Sequence, residues 1–185
     1  MLANSNAPSD GEFSRINHCD FIAITRCNIQ CFATTKLAIT KRVAVGKHPF
    51  GVALSADGST LYSVNVYEKT VSLVNTSTWQ QSKIKVGEHP YCAVASPDNK
   101  TLYVTNTQDD TVSVIDLATQ KIIATIEVAM TPEGISYDAA SKQVLVASWG
   151  ENQVSVIDAT TNKLKGHIKT GEKSRAFGQF ILTEQ

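Results

Sequence analysis

An all-β fold built from four-stranded antiparallel modules is what this 185-residue chain predicts. Three observations carry the prediction. One pattern occurs three times: VGKHPFGVALSADGSTLYSVNVYEKTVSLVNTST from Val45, VGEHPYCAVASPDNKTLYVTNTQDDTVSVIDLAT from Val86, and VAMTPEGISYDAASKQVLVASWGENQVSVIDATT from Val128. Gly46 and Gly87 stand 41 residues apart, Gly87 and Ala129 stand 42 apart, and a fourth copy opens 42 further on at Gly171. A fixed period near 40 residues marks a supersecondary unit that cannot bury its apolar face alone. Within each copy the apolar residues recur every second position, the period of a half-buried strand. No segment sustains a helical period of 3.6.

The second copy shows the elements in order. Tyr91–Ala95 is a short run of small and β-forming residues, ended by the turn chemistry of Pro97, Asp98 and Asn99. Thr101–Thr105 (TLYVT) is β-branched and aromatic, and Asn106–Asp110 is a polar turn. Thr111–Asp116 (TVSVID) alternates cleanly, Leu117–Gln120 turns again, and Lys121–Val128 (KIIATIEV) is the fourth strand. Four short antiparallel strands per period read as one blade of a β-propeller. Asp57-Gly58 and Asp98-Asn99 suit hairpin turns with positive φ, whereas Ala139-Ala140-Ser141 in the third copy predicts a different turn. Asn75, Asp116 and Asp158 each end a third strand, where a short acceptor bonds the amides of the following turn.

The segments LYSVN (Leu61–Asn65), LYVTN (Leu102–Asn106) and VLVAS (Val144–Ser148), each followed by TVSLVN, TVSVID or QVSVID, resemble the YVTN-type β-propeller repeat family. The resemblance covers about Arg42 to Ile181. It implies a propeller akin to the haem-d1-domain and lactonase-like propellers of bacteria and archaea. Relatives generally have about seven or eight blades. It also suggests a periplasmic or secreted location, although MLANSNAPSDGEFSR shows no basic region followed by an apolar core.

Full blades are expected at about 46–86, 87–128 and 129–170. Degenerate strands over 20–45 (DFIAIT, NIQCFA and KLAITKRVAV) overlie the second to fourth strands of a blade. The segment 175–182 (RAFGQFIL) offers the missing first strand, and 1–19 is expected to be irregular. About four blades follow, arranged as a closed four-bladed ring, as an open half of a larger propeller, or as two chains completing one larger ring.

Charge is balanced, with 17 basic and 17 acidic residues, so no electrostatic case exists for nucleic acid or a membrane surface. No run approaches the roughly 18 apolar residues of a membrane span.

Candidate functional residues come from the turn that precedes each first strand, which in such repeats lies near the central axis. Its variable positions give one ring of His48, His89, Thr131 and Lys173, and a second of Phe50, Tyr91, Glu133 and Arg175. Two imidazoles could ligate a metal, but a repeated His-Pro turn accounts for them without one. Arg175 is expected to pair with Glu133 between neighbouring blades, because a partnerless charge there is costly. His18, Cys19, Cys27 and Cys31 fit no metal spacing, so these cysteines are expected to be buried or incidental, and Cys92 to pack as a small apolar group. Trp79 and Trp149 lie at turns between strands, with packing the expected role. There is no G-x-S-x-G, Walker loop, H-E-x-x-H or C-x-x-C-H. The expectation is a noncatalytic scaffold binding an unknown protein or small molecule, with no metal or cofactor assigned. The rivals are a lactonase-like or haem-d1-like propeller using His48, His89, Glu133 and Arg175, and a truncated repeat product with a structural role only.

Overall fold

The structure, a computed structural model, describes residues 21–25, 27–33, 38–173 and 175–176. The expected irregular segment 1–19, and most of 175–182, therefore lie outside the described residues. Fifteen strands follow in order: β1 (Phe21–Thr25), β2 (Asn28–Ala33), β3 (Ala38–Ala44), β4 (Pro49–Leu54), β5 (Thr60–Asn65), β6 (Thr70–Asn75), β7 (Gln81–Lys85), β8 (Pro90–Ala95), β9 (Thr101–Asn106), β10 (Thr111–Asp116), β11 (Lys121–Glu127), β12 (Pro132–Asp138), β13 (Gln143–Ser148), β14 (Gln153–Asp158) and β15 (Lys163–Lys169). They form one three-stranded sheet, β1-β2-β3, and three four-stranded sheets, β4 to β7, β8 to β11 and β12 to β15. Every pairing is antiparallel between consecutive strands. No helix among the described residues is long and apolar enough to cross a membrane.

The faces at which the sheets meet are apolar, and neighbouring sheets bury them against one another. Three clusters mark three interfaces. Ile29, Val43 and Val45 of the first sheet meet Leu61 and Val74 of the second. Tyr62, Val64, Val71, Leu73 and Ile84 of the second meet Leu102, Val104 and Ile115 of the third. Tyr103, Val112, Val114 and Ile126 of the third meet Ile135, Val144, Val146 and Ile157 of the fourth. Strand β4 packs on β8 and β8 on β12, so the first strand of each full blade lies innermost. Among the described residues the four sheets make an open arc rather than the closed four-bladed ring the sequence allowed. The physical reason is visible on the fourth sheet: Val154 and Val156 are only half-buried, whereas their counterparts Val112 and Val114 are wholly buried.

The turns follow the chemistry of their residues. Gly58 (φ 71°) and Asn99 (φ 56°) take the left-handed conformation, and in the fourth sheet that conformation moves to Lys142 (φ 52°), so the third copy does use another turn. The amides of Thr78, Thr119 and Thr161 donate to Asn75, Asp116 and Asp158 at 2.8, 2.7 and 3.1 Å. The Thr119 hydroxyl and amide hold the Asp116 carboxyl below its ordinary range.

A second lock fixes the innermost turn to its own sheet. The buried Asn65 accepts from the Gly46 amide at 3.0 Å and donates to Thr70 and Ser72, both at 3.0 Å. Asn106 repeats this with Gly87 at 3.2 Å, Thr111 at 3.0 Å and Ser113 at 2.9 Å. The glycine is required because a Cβ on Gly87 would sit 2.5 Å from Asp109 and 2.6 Å from Asn106. In the fourth sheet both partners change together: Ser148 replaces the asparagine, Ala129 replaces the glycine, and the Ala129 amide donates to Ser155 Oγ at 3.0 Å. The shorter serine leaves room for the methyl group, and the Ser148 hydroxyl is left buried without a partner.

This pairing sets an expected double-mutant result. Gly87→Ala alone destabilises by roughly 1–3 kcal/mol from overpacking, and Asn106→Ser alone by roughly 1–3 kcal/mol from orphaned partners. Combined, they recreate the fourth-sheet pair, and chemical denaturation should show a loss smaller than the sum by at least about 0.5 kcal/mol. Strict additivity would show that the two positions do not share space.

Candidate functional site

The innermost turns are held in one conformation by hydrogen bonds that the repeat supplies three times. His48, His89, Thr131 and Lys173 all adopt left-handed φ, at 53°, 48°, 59° and 54°. That region tolerates histidine better than a β-branched threonine. At Thr131 the amide donates to Asp110 Oδ1 at 2.8 Å, and at Lys173 the amide donates to Asn152 Oδ1 at 2.5 Å. One residue earlier in each turn, the amides of Lys47, Glu88 and Met130 donate to Glu68, Asp109 and Glu151 at 2.9, 2.7 and 3.0 Å. The Lys83 ammonium and the Lys47 amide hold Glu68 below the usual carboxylate range. These three acids recur one period apart. That signal was readable in the sequence, but the candidate residues above do not include them.

The side chains on these turns gather in neighbouring pairs rather than about one point. His48 stacks on Tyr67, with ring centroids 4.4 Å apart and planes 17° apart. His89 meets the same Tyr67 edge-on at 6.2 Å and 78°. Tyr67 is 64% exposed, so two imidazoles flank one solvent-facing phenol instead of converging on a shared ion. Tyr67 has Gln108 and Gly150 as its counterparts, so no periodicity announces it. Beneath the turns, Phe50 and Tyr91 pack at 3.9 Å across the interface between the second and third sheets. Lys69 and Glu88 bridge the same interface at 2.6 Å.

The next step along the arc is charged. Arg175 Nε stands 3.6 Å from Glu133 Oε2, and its guanidinium lies over the Trp149 ring at 4.7 Å. The expected ion pair between neighbouring blades is therefore present, with a cation–π contact added. Glu133 is buried (6% exposed), and its Oε2 has no hydrogen-bond partner, so Arg175 supplies charge compensation without a hydrogen bond. Burial, and then the neighbouring Glu133 carboxylate, push the Cys92 thiol up to about 12 and raise the Tyr91 phenol as well. Cys92 packs with the apolar cluster between the third and fourth sheets, as its small size suggested.

Trp79 lies at the opposite end of the second sheet in a left-handed turn (φ 62°), with Lys41 Nζ 5.8 Å from its ring centre. Near that end an open cleft of about 540 Å³ lies between the second and third sheets, lined in part by Ser55, Tyr62, Asn75, Gln81, Lys100 and Gln120. None of the candidate residues lines it. Among the described residues, no three His, Cys, Asp or Glu side chains are grouped to hold a metal. Cys31, expected to be buried or incidental, is buried and also disulfide-bonded, while Cys27 is a free, exposed thiol. Cys31 is buried on β2, and its spacing from the other cysteines gave no sign of the bond.

Short strands in four-fold sets, stacked side by side with their first strands innermost, define a repeat protein of the β-propeller class. The chain belongs to the YNCE-like beta-propeller family, whose model matches residues 52–158. Among solved structures it is similar to Kuenenia stuttgartiensis hydrazine synthase, with 32% identity and a TM-score of 0.66 over 68% of this chain. That match covers 36% of the other chain, so this chain spans about a third of its length. No curated protein matches significantly.

The two free thiols among the described residues, Cys27 and Cys92, should differ sharply. With native protein at pH 8, a thiol reagent should label Cys27 and leave Cys92 untouched until denaturant is added, as read by peptide mass spectrometry. The Cys92 pKa is raised above its unfolded value of 9.0, so the folded state keeps the proton. Its contribution to stability is complete below pH 9 and is lost as pH rises towards about 12. Cys92→Ala should accordingly flatten the alkaline limb of the stability profile. Rapid native labelling of Cys92 would contradict its burial.

Proposed function

We propose that this chain is a noncatalytic propeller scaffold that binds a protein or small-molecule partner across the innermost turns of one face. One observation carries the reading: Tyr67 presents an exposed ring between His48 and His89, on turns whose backbones are pinned by Glu68 and Asp109. A rigid turn pays little ordering entropy when a partner seats on it. Amphipathic aromatic rings are the residues from which binding hot spots are built. Phe50, Tyr91, Glu133 and Arg175 form the adjoining layer, and Thr131 and Lys173 continue the rim. The Cys31 disulfide favours an oxidising compartment, as a periplasmic or secreted location requires.

A second reading, an enzymatic or redox propeller, is supported by the likeness to hydrazine synthase. The activity of that enzyme belongs to a chain almost three times as long as the matched part, and the two histidines here flank a tyrosine.

The test is a peptide and glycan array probed with the purified chain, with hits measured again on Tyr67→Ala, His89→Ala and Arg175→Ala. Scaffold binding predicts hits that weaken at least tenfold (about 1.4 kcal/mol) in Tyr67→Ala, with an unchanged circular dichroism spectrum. Hits indifferent to all three substitutions would defeat the proposal. A visible chromophore or lactone hydrolysis by the pure chain would favour the second reading.

A further inference from the structure

The cleft of about 540 Å³ between the second and third sheets lies at the end of the strands away from the innermost turns, and the proposed scaffold role does not use it. The next junction, between the third and fourth sheets, has the same turns with other side chains. There the Tyr103 hydroxyl donates to Asn162 Oδ1 at 3.1 Å and lies 3.4 Å from the Ala159 carbonyl, and the Tyr137 ring stands beside it with centroids 6.2 Å apart. One period back the counterparts are Tyr62, Gln120, Leu117 and Ala95. The backbones correspond: Gln120 and Asn162 are left-handed, at φ 55° and 53°, and the amides of Leu117 and Ala159 donate to the Lys100 and Lys142 carbonyls at 2.8 and 3.0 Å. The side chains differ. Ala95 packs on the cluster that holds Tyr62 but brings no ring, and Gln120 does not take the Tyr62 proton. Tyr62 is 1% exposed and lines the cleft, and among the described residues its hydroxyl has no hydrogen-bond partner.

The lining says what would fill the space. Around Tyr62 stand the carboxamides of Asn75, Gln80, Gln81 and Gln120 and the hydroxyls of Ser59 and Ser82. Carboxamides and hydroxyls both donate and accept. Two of them are already half engaged. Asn75 Oδ1 accepts from the Thr78 amide and hydroxyl, which leaves its amide nitrogen, and Gln81 Nε2 donates to the Ala44 carbonyl at 2.7 Å, which leaves its oxygen. No carboxylate lines the cleft, and its single charge, Lys100, has Asp98 at 3.7 Å. Leu73 and Leu117 add a small apolar patch. An anion would call for more cationic donors than this. A hydrocarbon ring bearing hydroxyl groups matches both the two-way hydrogen bonding and the apolar patch. The volume lies within the range of small-molecule clefts. The rim is also braced: the Ala56 amide donates to Asn99 Oδ1 at 2.9 Å across the junction. Pro97 holds the Ala56 position one period on and has no amide proton to repeat that bond. A rim held in place before binding loses little entropy when a ligand enters.

We infer that this cleft is a second binding site, taking a neutral sugar. The Tyr62 hydroxyl bonds a sugar hydroxyl at the position where Asn162 meets Tyr103 one junction on. The turn after β6 supplies Gln80 and Gln81 from one side, and the turn after β10 supplies Gln120 from the other. A buried phenol left without a partner is costly, so a ligand that satisfies it is favoured over one that does not. This site and the innermost turns lie at opposite ends of the strands, so a sugar in the cleft leaves Tyr67 and its histidines uncovered.

The test is to titrate the ¹⁵N-labelled full chain with glucose, galactose, N-acetylglucosamine and maltose, each to about 50 mM, and to follow the backbone amides by NMR. At least one sugar should give saturable shifts in the turns at 59–60, 80–82 and 117–120, with none at His48, Tyr67 or His89. Ala95→Tyr combined with Gln120→Asn rebuilds the filling of the next junction and should abolish those shifts with unchanged circular dichroism. Tyr62→Phe keeps the buried ring, tests the hydroxyl without relying on the double variant, and should weaken binding roughly threefold to tenfold. The inference is overturned if no sugar gives a saturable shift in these turns, or if the shifts survive both sets of substitutions. It is equally overturned if phenol alone, a mimic of the missing Tyr137 ring, shifts these amides while every sugar leaves them in place.

Discussion

Stacking of one apolar sheet face on the next is the constraint on which everything else in this molecule rests. Four short strands twist into a sheet too small to fold by itself, with valine, leucine and isoleucine on both sides. Each face loses its water only when a neighbour arrives, and burying one such side chain is worth roughly 1.5–3 kcal/mol. The Leu61–Val74 pair and its repeats at Leu102–Ile115 and Val144–Ile157 are the points at which one sheet locks into another. Because the contact is heterologous, each sheet that gains a neighbour on one side presents a fresh face on the other. The arc is thus self-propagating.

A finer constraint holds the innermost turns. The asparagine that closes the second strand satisfies the amide of a glycine, and a carboxylate one turn further satisfies the next amide. Left-handed backbone at His48, His89, Thr131 and Lys173 is a consequence of those bonds rather than of the residues that occupy the positions. The side chains there are free to vary, since the fold does not depend on them. That is how one scaffold displays two histidines, a threonine and a lysine at equivalent points. The exchange of Gly–Asn for Ala–Ser in the fourth sheet shows the lock surviving a change of parts. Ser155 takes over the amide, and the buried Ser148 hydroxyl is the residue of that exchange.

Some of the candidate site was legible because it repeats. The register that aligns His48 with His89 and Phe50 with Tyr91 also aligned Glu133 with Arg175, and their ion pair follows from that alignment. Tyr67 was not legible, because its counterparts Gln108 and Gly150 share nothing with it and only the turn geometry brings its ring against two imidazoles. Trp149 was visible as a turn residue, but its place beneath Arg175 depends on how the chain folds back after β15. Cys31 misled for the opposite reason: a disulfide depends on proximity in space, and C-x7-C-x3-C carries no information about that.

By itself the sequence determined the blades. Strand positions, turn types and the inner-to-outer order of strands all follow from a period of two within a period near 41, because these are local properties of backbone and side chain. Only the tertiary structure decided that the four sheets form an open arc among the described residues and which side chains meet on the innermost turns. Those outcomes depend on angles accumulated from sheet to sheet and on contacts between residues of neighbouring periods, and no local pattern encodes either.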